Sequence, residues 1–95
     1  MTIKNYRPML QELYAELIKL ETIEEAELFL GDLCTMKELE SMSQRLKAAK
    51  MLLEGKTYNE IVEETEISSA TLARVSKCIR YGDGGYKTIV TKENK

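Results

Sequence analysis

The stretch TYNEIVEETEISSATLARV, residues 57–75, changes character halfway along. Its first ten residues carry four acids, Glu60, Glu63, Glu64 and Glu66, whereas Ser68 to Arg80 contains Arg74, Lys77 and Arg80 and no acid at all. The apolar residues on either side of Glu66-Ile67-Ser68 are spaced for two short helices, with Ile61 and Val62 facing inward on the first and Leu72 and Val75 on the second. This is the spacing of a helix-turn-helix, whose tight turn lets the second helix cross the first steeply and still project its outer face. Ile67 is then the apolar plug of the turn, while Ser69, Ala70, Thr71 and Arg74 point outward. Such short side chains let a helix lie deep in a major groove, with hydroxyls for base edges or phosphates and an arginine that can reach guanine or backbone. The turn position often filled by glycine holds Glu66, so backbone strain is expected there. The same spacing also fits an ordinary helical hairpin packed in an all-α core.

The charge distribution favours the first reading. The formal net charge is -2, but residues 1–67 carry eight basic against fourteen acidic side chains, and residues 68–95 carry six against two. The second helix of the motif therefore offers the local positive footprint that a phosphate backbone needs, with Lys77 as a candidate phosphate anchor. Cations near a helix C-terminus also favour the helix dipole, which is the bland account of the same pattern.

Working outward, the chain reads as helical throughout. Thr22-Ile-Glu-Glu25, Thr35-Met-Lys-Glu38 and Thr57-Tyr-Asn-Glu60 each match a capping box, in which the Thr hydroxyl accepts a free amide and the Glu reaches back. The spacing predicts helices over about 6–20, with Pro8 in the opening turn, 23–30, 36–54 with Gly55 as a left-handed cap, 58–65 and 69–81. Residues 1–85 form the expected single helical domain. Gly82-Asp-Gly-Gly85 then ends the last helix, and residues 86–95, with the short alternation Thr88-Ile-Val-Thr, are expected to be a flexible basic tail.

At 95 residues the chain buries only about 60–65% of the surface it would expose unfolded. Leu39, Met42, Leu46, Ala49 and Leu53 repeat at spacings of 3, 4, 3 and 4, and the first two helices add more apolar surface. A homodimer is expected. Two helix-turn-helix units related by a two-fold axis call for a palindromic double-stranded DNA operator with half-sites one helical turn apart.

Other chemistries find little support. The chain has no His, two isolated cysteines and no Asp/Glu cluster at ligand spacing, so no metal site is expected. Gly82-Asp-Gly-Gly85 follows a helix with no helix expected after it, which argues against a phosphate loop. No Ser, Cys or Tyr has a visible base beside it, and the chain is not expected to be an enzyme. The pattern lacks a secretory signal or an apolar run of membrane-spanning length, so a soluble cytoplasmic protein with reduced Cys34 and Cys78 is expected. Two function classes remain: a DNA-binding regulator, and a protein-interaction module that uses its helix-turn-helix without specific DNA readout.

From about Leu33 to Cys78 the sequence resembles the Trp repressors, and in particular the Trp repressor-like branch labelled YerC/YecD. The resemblance is carried by LCTMKELESMSQRLKAAKMLLEGKTYNEIVEETEISSATLARVS, above all by Leu33-x-Thr35, Arg45, Leu52-Leu-x-Gly55 and the SATLARVS run. It implies an all-α, intertwined homodimer that represses a biosynthetic (amino acid) operon. By this similarity Asn59 and Ser68, Ser69, Ala70 and Thr71 fall where the family touches DNA. It also implies a site for an amino acid corepressor built from Thr35, Arg45 and Arg74, since paired guanidiniums suit a carboxylate and a flat ring. The family's pocket glycine is Val75 here and its ligand-holding serine is Cys78. Val75 should crowd an indole, which argues against tryptophan. Outside such a site, Arg74 would contact phosphate and Arg45 would join a surface ion pair. The family's last helix is expected to be missing.

Overall fold

A computed structural model describes residues 6–92. It contains six helices: α1 (Arg7–Leu17), α2 (Ile23–Leu33), α3 (Met36–Leu53), α4 (Tyr58–Thr65), α5 (Ser69–Tyr81) and α6 (Gly85–Val90). No strand occurs among the described residues. The chain divides into two compact units, residues 1–36 and 37–95.

In the first unit the chain enters α1 with Pro8 in the first turn, where its missing N–H costs nothing. The helix ends at Leu17, three residues earlier than the apolar pattern suggests, and the turn that follows is closed by Lys19 and Leu20 N–H donating to Glu16 and Leu17 carbonyls. Helix α2 starts at a cap where Thr22 Oγ1 accepts the Glu25 N–H at 3.0 Å. The Glu25 carboxylate reaches back to the Glu21 N–H at 2.8 Å, one residue before the amide the capping box would lead one to expect. Neither α1 nor α2 contains a buried residue.

The second unit holds the core: Ala48, Ala49, Met51, Ile61, Ile67, Leu72 and Val75, with Leu52, Ile79 and Tyr86 packed on its margin. Ala48 and Ala49 are fully buried on α3. Their small side chains allow the larger Ile61 and Leu72 to pack close to that helix. Helix α3 ends as Gly55 predicts: Gly55 has φ +85°, its N–H reaches the Leu52 carbonyl, and the Lys56 N–H reaches Met51, the paired bonds of a Schellman motif. Thr57 Oγ1 then accepts the Glu60 N–H and starts α4.

The turn between α4 and α5 carries the expected strain. Glu66 has φ 59° and ψ 20°, the one non-glycine residue with positive φ among the described residues. Three interactions hold it there. Thr65 Oγ1 donates to the Ile61 carbonyl at 2.7 Å and accepts the Ile67 N–H at 3.2 Å, so one hydroxyl spans the turn. Gln44 Nε2 on α3 donates to the Thr65 carbonyl at 3.0 Å. Ile67 is buried as the plug.

Two expectations need correction. Val62 is exposed, because once Ile61 points at the core its neighbour lies about 100° round the helix. The α3 stripe overturns no expectation: only Ala49 of it is fully buried and Met42 and Leu46 are exposed, so it lies to one side of this core. Residues 85–90 form α6 where a tail was expected. Gly84, at φ +85°, precedes that helix, and Tyr86 packs on the core, a tertiary contact that overrides the local β-like alternation. With α6 present, the case against a phosphate loop no longer rests on a missing helix but on the absence of the G-x4-G-K-[ST] spacing. Residues 93–95 of the expected tail lie outside the described residues.

Replacing Glu66 tests the turn. Glu66→Gly removes the left-handed cost at the expense of some unfolded-state entropy and should raise stability by about 0.5–1 kcal/mol, whereas Glu66→Val should lower it by about 1 kcal/mol or more. Thermal denaturation followed by circular dichroism reads both; equal midpoints for the two variants would mean that the turn is not left-handed.

Candidate nucleic-acid interface

The two faces of α5 are sharply divided. Leu72, Val75 and Ser76 are buried, and Ser69, Ala70, Ala73, Arg74 and Lys77 are exposed, the 3.6-residue period of a helix lying on a core. Ser68 starts the helix by accepting the Thr71 N–H on its hydroxyl at 3.1 Å. Thr71 is half-buried at the boundary between the faces. Arg74, Lys77 and Arg80 are exposed and make no ion pair or hydrogen bond among the described residues. Asn59 is exposed on the first turn of α4.

The outer face of α5 therefore presents short hydroxyl and methyl groups near its N-terminus and three basic groups towards its C-terminus. Its inner face is fixed by Leu72 and Val75, 0% and 2% exposed. A helix presented in this way can meet a groove floor with its first turn and phosphates with its cations.

Of the residues implied for an amino acid site, Thr35 lies in the first unit and the other four lie in the second. Arg45 is half-buried on α3, donates its Nε–H to the Ser41 carbonyl at 3.4 Å, and lines a shallow cavity of about 310 Å³ with Lys37, Glu38, Ser41 and Met42. Cys78 lines a different cavity, of about 490 Å³, between the end of α5, the glycine loop and α6, with Leu46 and Tyr86. Arg74 is on the exposed face and Val75 in the core.

That second cavity and α6 were missed by sequence reasoning. A usable signal was present: Tyr86, Ile89 and Val90 stand at helical spacing, and Gly82 and Gly84 allow the chain to turn back. A Cβ at Gly82 would collide with the Cys78 carbonyl oxygen, so that turn needs glycine. Cys34 and Cys78 are both free thiols. No group of His, Cys, Asp or Glu able to hold a metal ion occurs among the described residues, and no helix there is long and apolar enough to cross a membrane.

Comparison with known proteins agrees with this architecture. The family described as Trp repressor protein matches residues 8–94. The uncharacterized protein YerC of Bacillus subtilis (strain 168) is 44% identical over 78 residues, which cover 82% of this chain and 75% of YerC. The crystal structure of a candidate Trp repressor from Staphylococcus aureus superposes with a TM-score of 0.84 at 41% identity, over 87% of this chain and 83% of that one. A TrpR-like protein from Eubacterium eligens ATCC 27750 gives a TM-score of 0.82 at 36% identity, over 92% and 94%. The chain with the acid-free α5 thus belongs to the Trp repressor family, in its YerC-like branch.

Proposed function

We propose that the protein is a sequence-specific DNA-binding transcriptional regulator that works as a homodimer and represses a biosynthetic operon, one of amino acid metabolism, through a palindromic operator. The observation that carries the reading is the outer face of α5, acid-free from Ser68 to Arg80 and held outward by a buried inner face. Family membership supports it. Ser69, Ala70 and Thr71 meet base edges, Asn59, Arg74 and Lys77 hold the phosphate backbone, and Ser68 starts the helix that presents them. The homodimer is supported by the apolar groups left exposed in the first unit, among them Ile18, Ile23 and Leu28.

Selection of bound sequences from a random DNA pool, followed by titration at several salt concentrations, tests this reading. Lys77→Ala should weaken binding to every sequence and flatten the salt slope by about one unit, whereas Ser69→Ala and Thr71→Ala should cost at most about 1–3 kcal/mol each and do so at the selected operator. If all three variants behave alike, the division into base readers and phosphate anchors is wrong; if no DNA is retained even at low salt, a protein-docking role takes its place. Sedimentation at micromolar concentration should give about 22 kDa, twice the 10.9 kDa chain, with an unfolding midpoint that rises with concentration.

We further propose that operator binding does not depend on tryptophan. Val75 is 2% exposed among Ala48, Ala49 and Leu72, and holds α5 by its own packing. Val75→Gly should destabilise the domain by about 2–3 kcal/mol and lower operator affinity, without creating a response to tryptophan. Titrating each amino acid into wild-type protein and operator checks this and also covers smaller corepressors seated against Cys78. Enhancement by tryptophan at tens of micromolar would overturn it.

A further inference from the structure

Glu66 stands against three local preferences at once. Its φ of 59° is a conformation that glycine adopts without the clash of a Cβ, and the bonds that close the turn run through Thr65, Gln44 and Ile67, none of them to the Glu66 side chain. It is also the C-cap of α4, where the carbonyl end of the helix dipole disfavours an acid, and Glu63 and Glu64 already stand in the same last turn. An acid is favoured at a helix N-terminus, yet the first turn of α5 contains none. The dipole of α5 therefore does not account for a carboxylate set two residues before Ser68. That carboxylate is exposed and makes no ion pair or hydrogen bond among the described residues. A strained residue whose side chain adds nothing to stability is accounted for by function rather than by folding.

Its place in the chain indicates what the charge acts on. Two residues span at most about 7 Å, less than the screening length of about 8 Å at physiological salt, so the Glu66 charge is felt by whatever the start of α5 approaches. When a recognition helix is seated, its N-terminal turn lies over the floor of a major groove about 12 Å wide, and the turn before it stands over the opening, between two rows of phosphates. A seating that is shifted or tilted brings that turn onto one of the rows. Loose attraction to the backbone by Arg74, Lys77 and Arg80 does not distinguish the two seatings, whereas a carboxylate at the edge of the reading face does. Resting on the DNA-binding reading above, we infer that Glu66 determines specificity by repulsion: it weakens seatings of α5 that are out of register and leaves the operator complex almost untouched. The strain at the turn is then the consequence of holding a negative charge where glycine would fold better.

The test uses the full chain, an operator selected by the wild-type protein from random-sequence DNA, and an unrelated duplex of the same length. Glu66→Asn and Glu66→Asp have the same shape and tolerate the left-handed conformation equally well, so the pair isolates the charge. Glu66→Asn should raise affinity for the unrelated duplex roughly three- to tenfold and change operator affinity less than about twofold, with the gain shrinking as salt is added. Glu66→Gly should behave like Glu66→Asn, and Glu66→Asp like the wild type. Thermal midpoints at or above that of the wild type would show that all three variants remain folded. Equal affinities for Glu66→Asn and Glu66→Asp on both duplexes would overturn the role of the charge. A gain on the operator as large as that on unrelated DNA would overturn the discrimination. A loss on the operator in Glu66→Asn alone would mean that the carboxylate makes a favourable contact there, and would overturn the repulsion. A wild-type protein that selects no DNA would instead defeat the functional reading on which the inference rests.

Discussion

The left-handed turn at Glu66 is the constraint on which the presentation of α5 depends. A φ of 59° on a residue with a Cβ is unfavourable by itself, by about 1–2 kcal/mol. The turn persists because its neighbours over-determine it: the Thr65 hydroxyl ties Ile61 to Ile67 across it, Gln44 holds the Thr65 carbonyl from α3, and Ile67 is buried beneath. These contacts join α3 to the end of α4 and close the turn around one strained residue, while α5 is held by the packing of Leu72 and Val75 in the same core. The direction in which α5 leaves the turn follows from that arrangement, and with it the set of side chains that face outward.

Because Leu72 and Val75 already commit one face of α5 to the core, the outer face is free of packing demands and can carry chemistry instead. That freedom explains why the charge asymmetry is so local. Acids are plentiful on α4, at Glu60, Glu63 and Glu64, yet none follows Glu66 until Asp83. A helix placed only for stability gains little from excluding acids over its whole length, since exposed ion pairs contribute weakly either way. Exposed Arg74, Lys77 and Arg80 raise the local potential and attract an anionic polymer, at some electrostatic cost to the isolated domain.

The parts of the fold that were legible in the sequence are those set by local chemistry. Thr22 and Thr57 cap helices as their side chains require, Gly55 terminates α3 by the expected pair of bonds, and the Ile61, Ile67, Leu72, Val75 pattern marks the core. What was not legible depends on tertiary contacts. Val62 sits beside Ile61 in sequence and is equally apolar, and only the direction of α3 decides which one is buried. Residues 86–90 carry a β-like alternation, and α6 becomes visible only with Tyr86 against the core. The outward side chains of α5 followed from the same period that buries its inner ones. The dispersion of Arg45 and Cys78 into separate cavities did not, because spacing along α3 and α5 fixes the face of each residue but not the shape of the space between helices.

The small core also bears on the exposed apolar surface. Two of its seven members are alanines, whose burial removes little apolar area from water, so Ala48 and Ala49 contribute close approach more than hydrophobic free energy. Of its larger members Ile61, Leu72, Val75 and Ile67 are almost wholly enclosed. A domain of 95 residues has little surplus of burial to offset its chain entropy. Yet Met42 and Leu46 on α3, and Ile18, Ile23 and Leu28 in the first unit, leave apolar area in water that could supply it. Covering such surface with a second copy adds burial without lengthening the chain, and it links the stability of each reading helix to the presence of the other. On that reasoning the same apolar residues that are costly to a lone chain would set both the number of α5 helices brought to DNA and the spacing of the sequence they meet.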